Sequence, residues 1–350
     1  MNRRLIAACI ATPLVLVLGG LALAVPLPFA SYSPGPTYNI LGKDSNGAEV
    51  VQVAGHQAYY DAGGQLRFTT VMASGDGDKL SLGEALQRWF SGDNAVLPYD
   101  YVHPPTQDPT DEKQQGAVEM VTSQDLAKAA ALRELGYKLP MVLKVEGVDP
   151  GSPAAGKLEV GDVMQSVNGV KITSADQVVN AIVKHGTKPV TLGILRDHRK
   201  LDVTMTPVMM TTDGTKRPRI GISQGIGFSF PFNIELHVDP NIGGPSAGLM
   251  FSLAIYDTLT PGSLSGGAVV AGTGELSADG KVGPIGGIAQ KIAAADKAGA
   301  KMFFVPKDNC PDVAHLHPDG MRLVKATDVH EARTALQTWA ADHNATLPSC

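Results

Sequence analysis

Cysteine is scarce in this chain. Only Cys9, Cys310 and Cys350 occur among 350 residues, too few to define a disulfide framework. Cys310 and Cys350 are able to pair only if the chain is exported to an oxidising compartment. Cys310 with His315 and His317 fits no structural zinc spacing, so these read as loop residues and no metal is expected. Basic excess is also missing: the formal net charge is −5 and no basic stripe is present, which argues against nucleic acid as a partner. No Gly-x-x-x-x-Gly-Lys-Ser/Thr stretch occurs, so no P-loop ATPase is encoded and no ATP is expected to bind. Internal repeats and low-complexity tracts are absent too. The length and apolar content that remain suit two or three domains with cores of their own.

Arg3 and Arg4 precede an apolar run from Leu5 to Val25. That run matches the roughly 20 residues needed by a spanning helix. Positive residues on its N-terminal side predict a cytoplasmic N-terminus, with the C-terminal domains extracytoplasmic at a cell membrane. Residues 1–30 are therefore expected to form a single-pass transmembrane anchor. A cleaved signal peptide is the competing reading, because Ala22-Leu-Ala24 has the small-x-small form; length and the crowding prolines Pro26 and Pro28 favour the anchor.

From 31 to 131 the pattern is mixed α/β. Ser31 to Thr37 reads as a turn-rich start, Val50 to Val53 and Gln65 to Val71 as strands, and Leu82 to Phe90 as a helix capped by Ser81. A polar loop is predicted for 98–115, then a helix from Met120 to Leu135. Between 132 and 209, Gly-Ser-Pro-Ala-Ala at 151–155, Gly-Asp-Val at 161–163 and Val-Asn-Gly at 167–169 are followed by a helix with a Ser174–Gln177 capping box. Together these resemble a bacterial-type PDZ domain. The resemblance implies that an extended segment of an unfolded or peptide-like protein docks by strand addition. The loop Gly136–Pro140, with Tyr137 and Leu139, is the expected docking site. The alternative is that this module only positions other domains.

The chemistry centres on Asn241-Ile-Gly-Gly-Pro-Ser-Ala-Gly-Leu-Met250. Pro245 suits a first helical position and Leu249, Met250 and Leu253 recur at helical spacing, which predicts Ser246 at a helix N-terminus. Free N–H groups there favour a developing oxyanion, with Gly244 and Ala247 as the loop donors. A cap or an anion-binding turn is the plainer reading. Residues 287–298 read as a second helix, on which Ile288, Ala294 and Ala295 share a face with Lys291, and Gln290 and Lys297 lie on the other side. A lysine on an apolar face loses solvation, which lowers its pKa and frees it to act as a base for a serine; the plainer reading is a snorkelling side chain. His237 with Asp239 does not form a serine triad by spacing alone. Ser265 and Ser277 fall in glycine-rich turns and read as backbone-bonding serines.

Gly-Pro-Ser-Ala-Gly around Ser246, Thr-Gly-Glu at 273–275, Gly-Lys-Val-Gly-Pro-Ile-Gly-Gly-Ile at 280–288 and Phe-Phe-Val-Pro at 303–306 resemble the Lon-type serine–lysine peptidases, over roughly 219–345. The resemblance implies Ser246 as nucleophile, Lys291 as its base, Thr273 as the hydroxyl that orients the lysine, no cofactor, and a ring-like homo-oligomer. Gly243 departs from the aspartate that many Lon proteases carry there. The whole chain resembles bacterial membrane-anchored PDZ–Lon-like peptidases: an α/β (α+β) multi-domain fold, with the anchor at 1–30, an α/β segment at 31–131 packing with the peptidase, a PDZ-like domain at 132–209 and the proteolytic domain at 210–350. An early strand at 63–70 and a return at 221–237 would make the PDZ-like part an insertion in the peptidase sheet. Two functions follow: an ATP-independent endopeptidase, or a non-catalytic PDZ adaptor on a peptidase scaffold.

Overall fold

The computed structural model describes residues 3–60, 63–75, 77–104, 109–196, 199–212 and 215–350, with the side chains of 3–8, 109–112 and 212 left aside. The expectations placed on the Arg3 and Arg4 side chains and on 105–108 within the polar loop lie outside what is described. The chain starts with a helix over Arg3–Ala24 whose described residues are exposed. Among the described residues, no helix is long and apolar enough to cross a membrane.

The body is a six-stranded sheet in the order Arg322–Ala326, Met302–Pro306, Val269–Gly272, Gln65–Ala73, Phe29–Asn39, Ala95–Pro98. Val269–Gly272 is parallel to both of its neighbours, whereas Phe29–Asn39 runs antiparallel to Gln65–Ala73. The strand Met302–Pro306 is buried at every position, as a parallel strand covered on both faces should be. Its alternation sorts the helices. Phe304 joins Met250, Phe251 and Phe68 in one core cluster, and Phe303 joins Ile288 and Ile292 in another. The helix Gly248–Thr258 (the serine helix) therefore covers one face of the sheet and the helix Ile288–Lys297 (the lysine helix) covers the other. Gly272 lets the serine helix close in on the sheet, since a Cβ there would lie 2.7 Å from Met250 Sδ and 2.9 Å from Phe304 Cβ.

A second sheet has the order Ile222–Phe228, Met141–Val148, Val163–Val167, Val190–Arg196, Arg199–Met205. With the helix Ala175–His185 it encloses a separate core around Val145, Leu158, Ile182 and Ile194. The chain leaves the body after the long helix Pro109–Glu134 and re-enters it at Asn233–Leu236, which pairs with Val51–Ala54. The module is thus an insertion, but 221–237 does not resume the main sheet: its first strand completes the module and its second forms a separate ribbon. Local pattern marks a strand, but tertiary context settles which sheet it joins.

Other local expectations change as well. The turn-rich start is a strand, with an irregular register between Pro34 and Thr37 that accommodates the prolines. The long helix begins at Pro109 rather than Met120. Ser81 and Glu84 form a reciprocal capping box, whereas Ser174 caps without a side-chain bond and Gln177 accepts from the Thr173 N–H instead. Cys310 and Cys350 are disulfide-bonded, which ties the chain end to the helix Cys310–Val313. Cys350→Ser should lower stability by about 2–4 kcal/mol, seen as a lower thermal midpoint that reductant reproduces in the unaltered protein.

Candidate active site

The serine and lysine helices lie on opposite faces, so their residues meet only where the sheet between them stops. It stops at Gly272, and Thr273 is the next residue. There Lys291 Nζ lies 2.7 Å from Ser246 Oγ and 3.1 Å from Thr273 Oγ1. Thr273 Oγ1 donates to the Ser246 carbonyl at 2.9 Å, and the Gly274 N–H donates to the same oxygen at 2.7 Å. The threonine proton is committed to that carbonyl. Its oxygen is thus left to accept an N–H from Lys291, which also donates to Ser246 Oγ; once the amine loses that proton, its lone pair can face the serine hydroxyl.

Lys291 is 3% exposed and Thr273 1%. Burial pushes the Lys291 pKa down to about 8, because the charged form loses its hydration. Gln290, expected on the other side of the helix from Lys291, is buried too, since the lysine helix also packs against the strands Phe29–Asn39 and Gln65–Ala73. Ser246 is half-buried and faces a cleft of about 330 Å³ lined by Tyr38, Phe68, Val71, Met72, Met120 and Ile242 among others.

The serine loop differs in detail from expectation. The helix starts at Gly248 with Ala247 as its cap, so Pro245 is not a first helical residue and Ser246 sits in the turn before it. Gly244 has φ +91°, a conformation that favours glycine. Its N–H donates to the Gly116 carbonyl at 2.9 Å and so is not a free oxyanion donor. Among the described residues, nothing accepts the N–H of Ser246 or Ala247. Those two are the donors open to a developing oxyanion. A Cβ at Gly243 would lie 3.1 Å from the Gly116 carbonyl carbon, which gives a steric reason for glycine where many Lon proteases have aspartate. Neither Gly116 nor Ser123, which also bonds the loop, carried a local signal; each matters only because the long helix folds back onto residues more than 120 positions later.

The remaining candidates fall elsewhere. Tyr137 and Leu139 pack against the core of the body, and the Tyr137 hydroxyl meets His56 Nε2 at 3.1 Å, so they do not line the groove of the inserted module. That groove lies between Ala175–His185 and the sheet-edge strand Ile222–Phe228, with Val179, Ile182, Ile222 and Gln224 around a pocket of about 80 Å³. His237 contacts Gln52 and Glu235, and Asp239 accepts from Asn241; Asp239 lines the cleft that Ser246 faces, but neither residue is bonded to Ser246. Ser265 lies within bonding distance of Ser263, and Ser277 binds Asp279 and the Lys281 carbonyl. Among the described residues, no His, Cys, Asp and Glu group is arranged to hold a metal.

Residues 231–337 match the family model of the Lon protease (S16) C-terminal proteolytic domain, and 144–196 match that of the PDZ domain. A Lon protease of Acinetobacter baumannii is 33% identical over 165 residues, which cover 45% of this chain and 19% of that protein. One from Trichlorobacter lovleyi is 38% identical over 108 residues, covering 29% of this chain and 13% of that protein. The chain thus spans less than a fifth of the length of these relatives. Among solved structures, the PDZ domain of the SdrC-like protein of Listeria innocua is 20% identical and covers 24% of this chain and 92% of its own, with a TM-score of 0.22.

If the amine of Lys291 activates Ser246, labelling of Ser246 by a fluorophosphonate should rise with pH and level off above about 8. Below that it should fall about tenfold per pH unit, because the protonated amine cannot accept a proton. Lys291→Met should slow labelling by about 10²–10⁴-fold. A rate that is flat from pH 6 to 9 would exclude an amine base.

Proposed function

We propose that the chain is an ATP-independent serine endopeptidase, with Ser246 as nucleophile, Lys291 as general base and acid, and Thr273 as the residue that orients Lys291. The observation that carries this reading is the buried Lys291 Nζ, 2.7 Å from Ser246 Oγ with its pKa lowered to about 8. The neutral amine takes the serine proton as Oγ attacks the scissile carbonyl carbon. Negative charge gathers on the carbonyl oxygen, opposite the N–H groups of Ser246 and Ala247. The lysine then returns its proton to the leaving amine nitrogen as the C–N bond breaks. Water, deprotonated by the same amine, hydrolyses the acyl-enzyme and frees Ser246.

With no P-loop in the chain, unfolded or tail-exposed proteins are the substrates that reach Ser246 without ATP-driven unfolding. The inserted module is the docking site in this reading. A peptide adding to the open edge of Ile222–Phe228 would meet Arg219 Nε and Gln224 Oε1, both buried with no hydrogen-bond partner among the described residues. Such a peptide supplies an acceptor for one and a donor for the other.

The same reading places residues 1–30 as an anchor, with the catalytic body on the extracytoplasmic face of a bacterial membrane. Its support is the apolar run after Arg3 and Arg4, together with the Cys310–Cys350 disulfide, which suits an oxidising compartment. A homo-oligomeric ring is the accompanying proposal, resting on the resemblance to Lon-type domains.

The decisive experiment incubates the purified chain with an unfolded protein, without ATP. The unaltered chain should cut it, and Ser246→Ala and Lys291→Ala should each lose at least 10²-fold in rate. No cleavage by the unaltered chain, or equal cleavage by both variants, would leave the adaptor reading in place. Gln224→Ala with Arg219→Ala should raise KM for proteins with an exposed tail and leave kcat for a short peptide within about twofold.

A further inference from the structure

We propose that Ser123 is a positioning residue for the oxyanion donor of Ser246, and that the PDZ-like module holds it in place through Lys144. The proposal rests on reading Ser246 as the nucleophile. Ser123 lies on the long helix, is 2% exposed, and donates through Oγ to the Pro245 carbonyl at 2.9 Å. That carbonyl and the Ser246 N–H belong to one planar trans peptide unit, so they point in opposite directions. Holding the Pro245 oxygen therefore sets the direction of the Ser246 N–H. About two turns before Ser123 on the same helix, the Gly116 carbonyl accepts the Gly244 N–H at 2.9 Å. Two backbone groups just before the nucleophile are thus held by one helix that is distant in sequence.

That helix also carries the contact to the inserted module. Two residues after Ser123, Asp125 pairs with Lys144, which comes from Met141–Val148 of the module's sheet. Val145 points into the module's own core, so Lys144 leaves the sheet on the opposite face. Its stem crosses the groove strand at Gly227, where a Cβ would lie 2.4 Å from Lys144 Cδ. Near the end of the helix, the Arg133 guanidinium sits 4.6 Å from the Phe228 ring, also on the groove strand. The strand open to a docked peptide, the long helix and the serine loop are therefore joined by consecutive contacts. From Gly116 to Asp125 the helix spans about 14 Å at 1.5 Å per residue, and its continuous hydrogen bonds let it move as one piece.

The test uses the full chain and three variants: Ser123→Ala, Lys144→Met, and Lys281→Met as a control at an exposed lysine. Hydrogen exchange of the peptide covering Gly243–Ala247 is measured by mass spectrometry, with 269–272 as the internal standard for global stability. Exchange at the Gly244 N–H, the bonded amide of that peptide, should speed up about tenfold in Ser123→Ala and Lys144→Met, stay unchanged in the control, and stay unchanged at 269–272 in all three. In peptidase assays, Ser123→Ala should lower kcat by about 10–100-fold, less than outright removal of an oxyanion donor. KM should stay within about twofold, and the pH midpoint set by Lys291 should not move. Lys144→Met should lower kcat in the same way by about threefold. Unchanged exchange at 243–247 in either variant overturns the proposal, and so does a loss that falls on KM or shifts the pH midpoint. If the unaltered chain cuts nothing, the peptidase reading fails on its own, and the exchange measurement still decides whether Ser123 and Lys144 hold the loop.

Discussion

An amine 3% exposed, with no carboxylate partner among the described residues, is the constraint around which this fold is built. In the charged form Lys291 would forfeit most of its hydration, and two hydroxyl oxygens do not replace it. In the neutral form no charge is buried: Thr273 receives one of the two N–H groups and Ser246 partners the lone pair. Placing those two hydroxyls on either side of an amine requires three chain segments to end at one point. The sheet achieves this because its central strand stops at Gly272, exposing the ends of helices that otherwise lie on opposite faces.

Close backbone approach recurs wherever the site is held together. Gly272 admits Met250 and Phe304, Gly243 admits Gly116, and Gly227 admits the Lys144 stem. At each of these positions a side chain would push apart two elements whose contact fixes the next one along. The long helix gains its importance in this way. It bonds the serine loop at Gly116 and Ser123 and meets the inserted module at Asp125 and Arg133. The module is thus packed against the element that supports the nucleophile, rather than hung from a free linker.

Much of the site was legible before the fold was known. Glycines and a proline around Ser246, an apolar stripe beside Lys291, and Thr273 in a Thr-Gly-Glu step all carry local chemical meaning. What local pattern could not convey was which free donors remain. Gly244 looked like an oxyanion donor by position, yet its N–H is taken by a carbonyl from a helix more than 120 residues earlier. Tyr137 and Leu139 looked like a docking loop because they precede the first strand of the module. They turn instead into the core of the body, and the groove strand arrives from residues 222–228.

The sequence by itself determined the types of group available and their local settings: a serine in a glycine turn, a lysine on an apolar helical face, two regions with separate signatures and no P-loop. These follow from short-range periodicity and from backbone preferences of single residues. Only the tertiary structure decided that the serine and lysine are 2.7 Å apart, that Ser246 and Ala247 keep their N–H groups free among the described residues, and that the inserted module bears on the helix behind them. Those outcomes depend on strand order and on helices meeting across a sheet, where contacts between distant segments outweigh local preference.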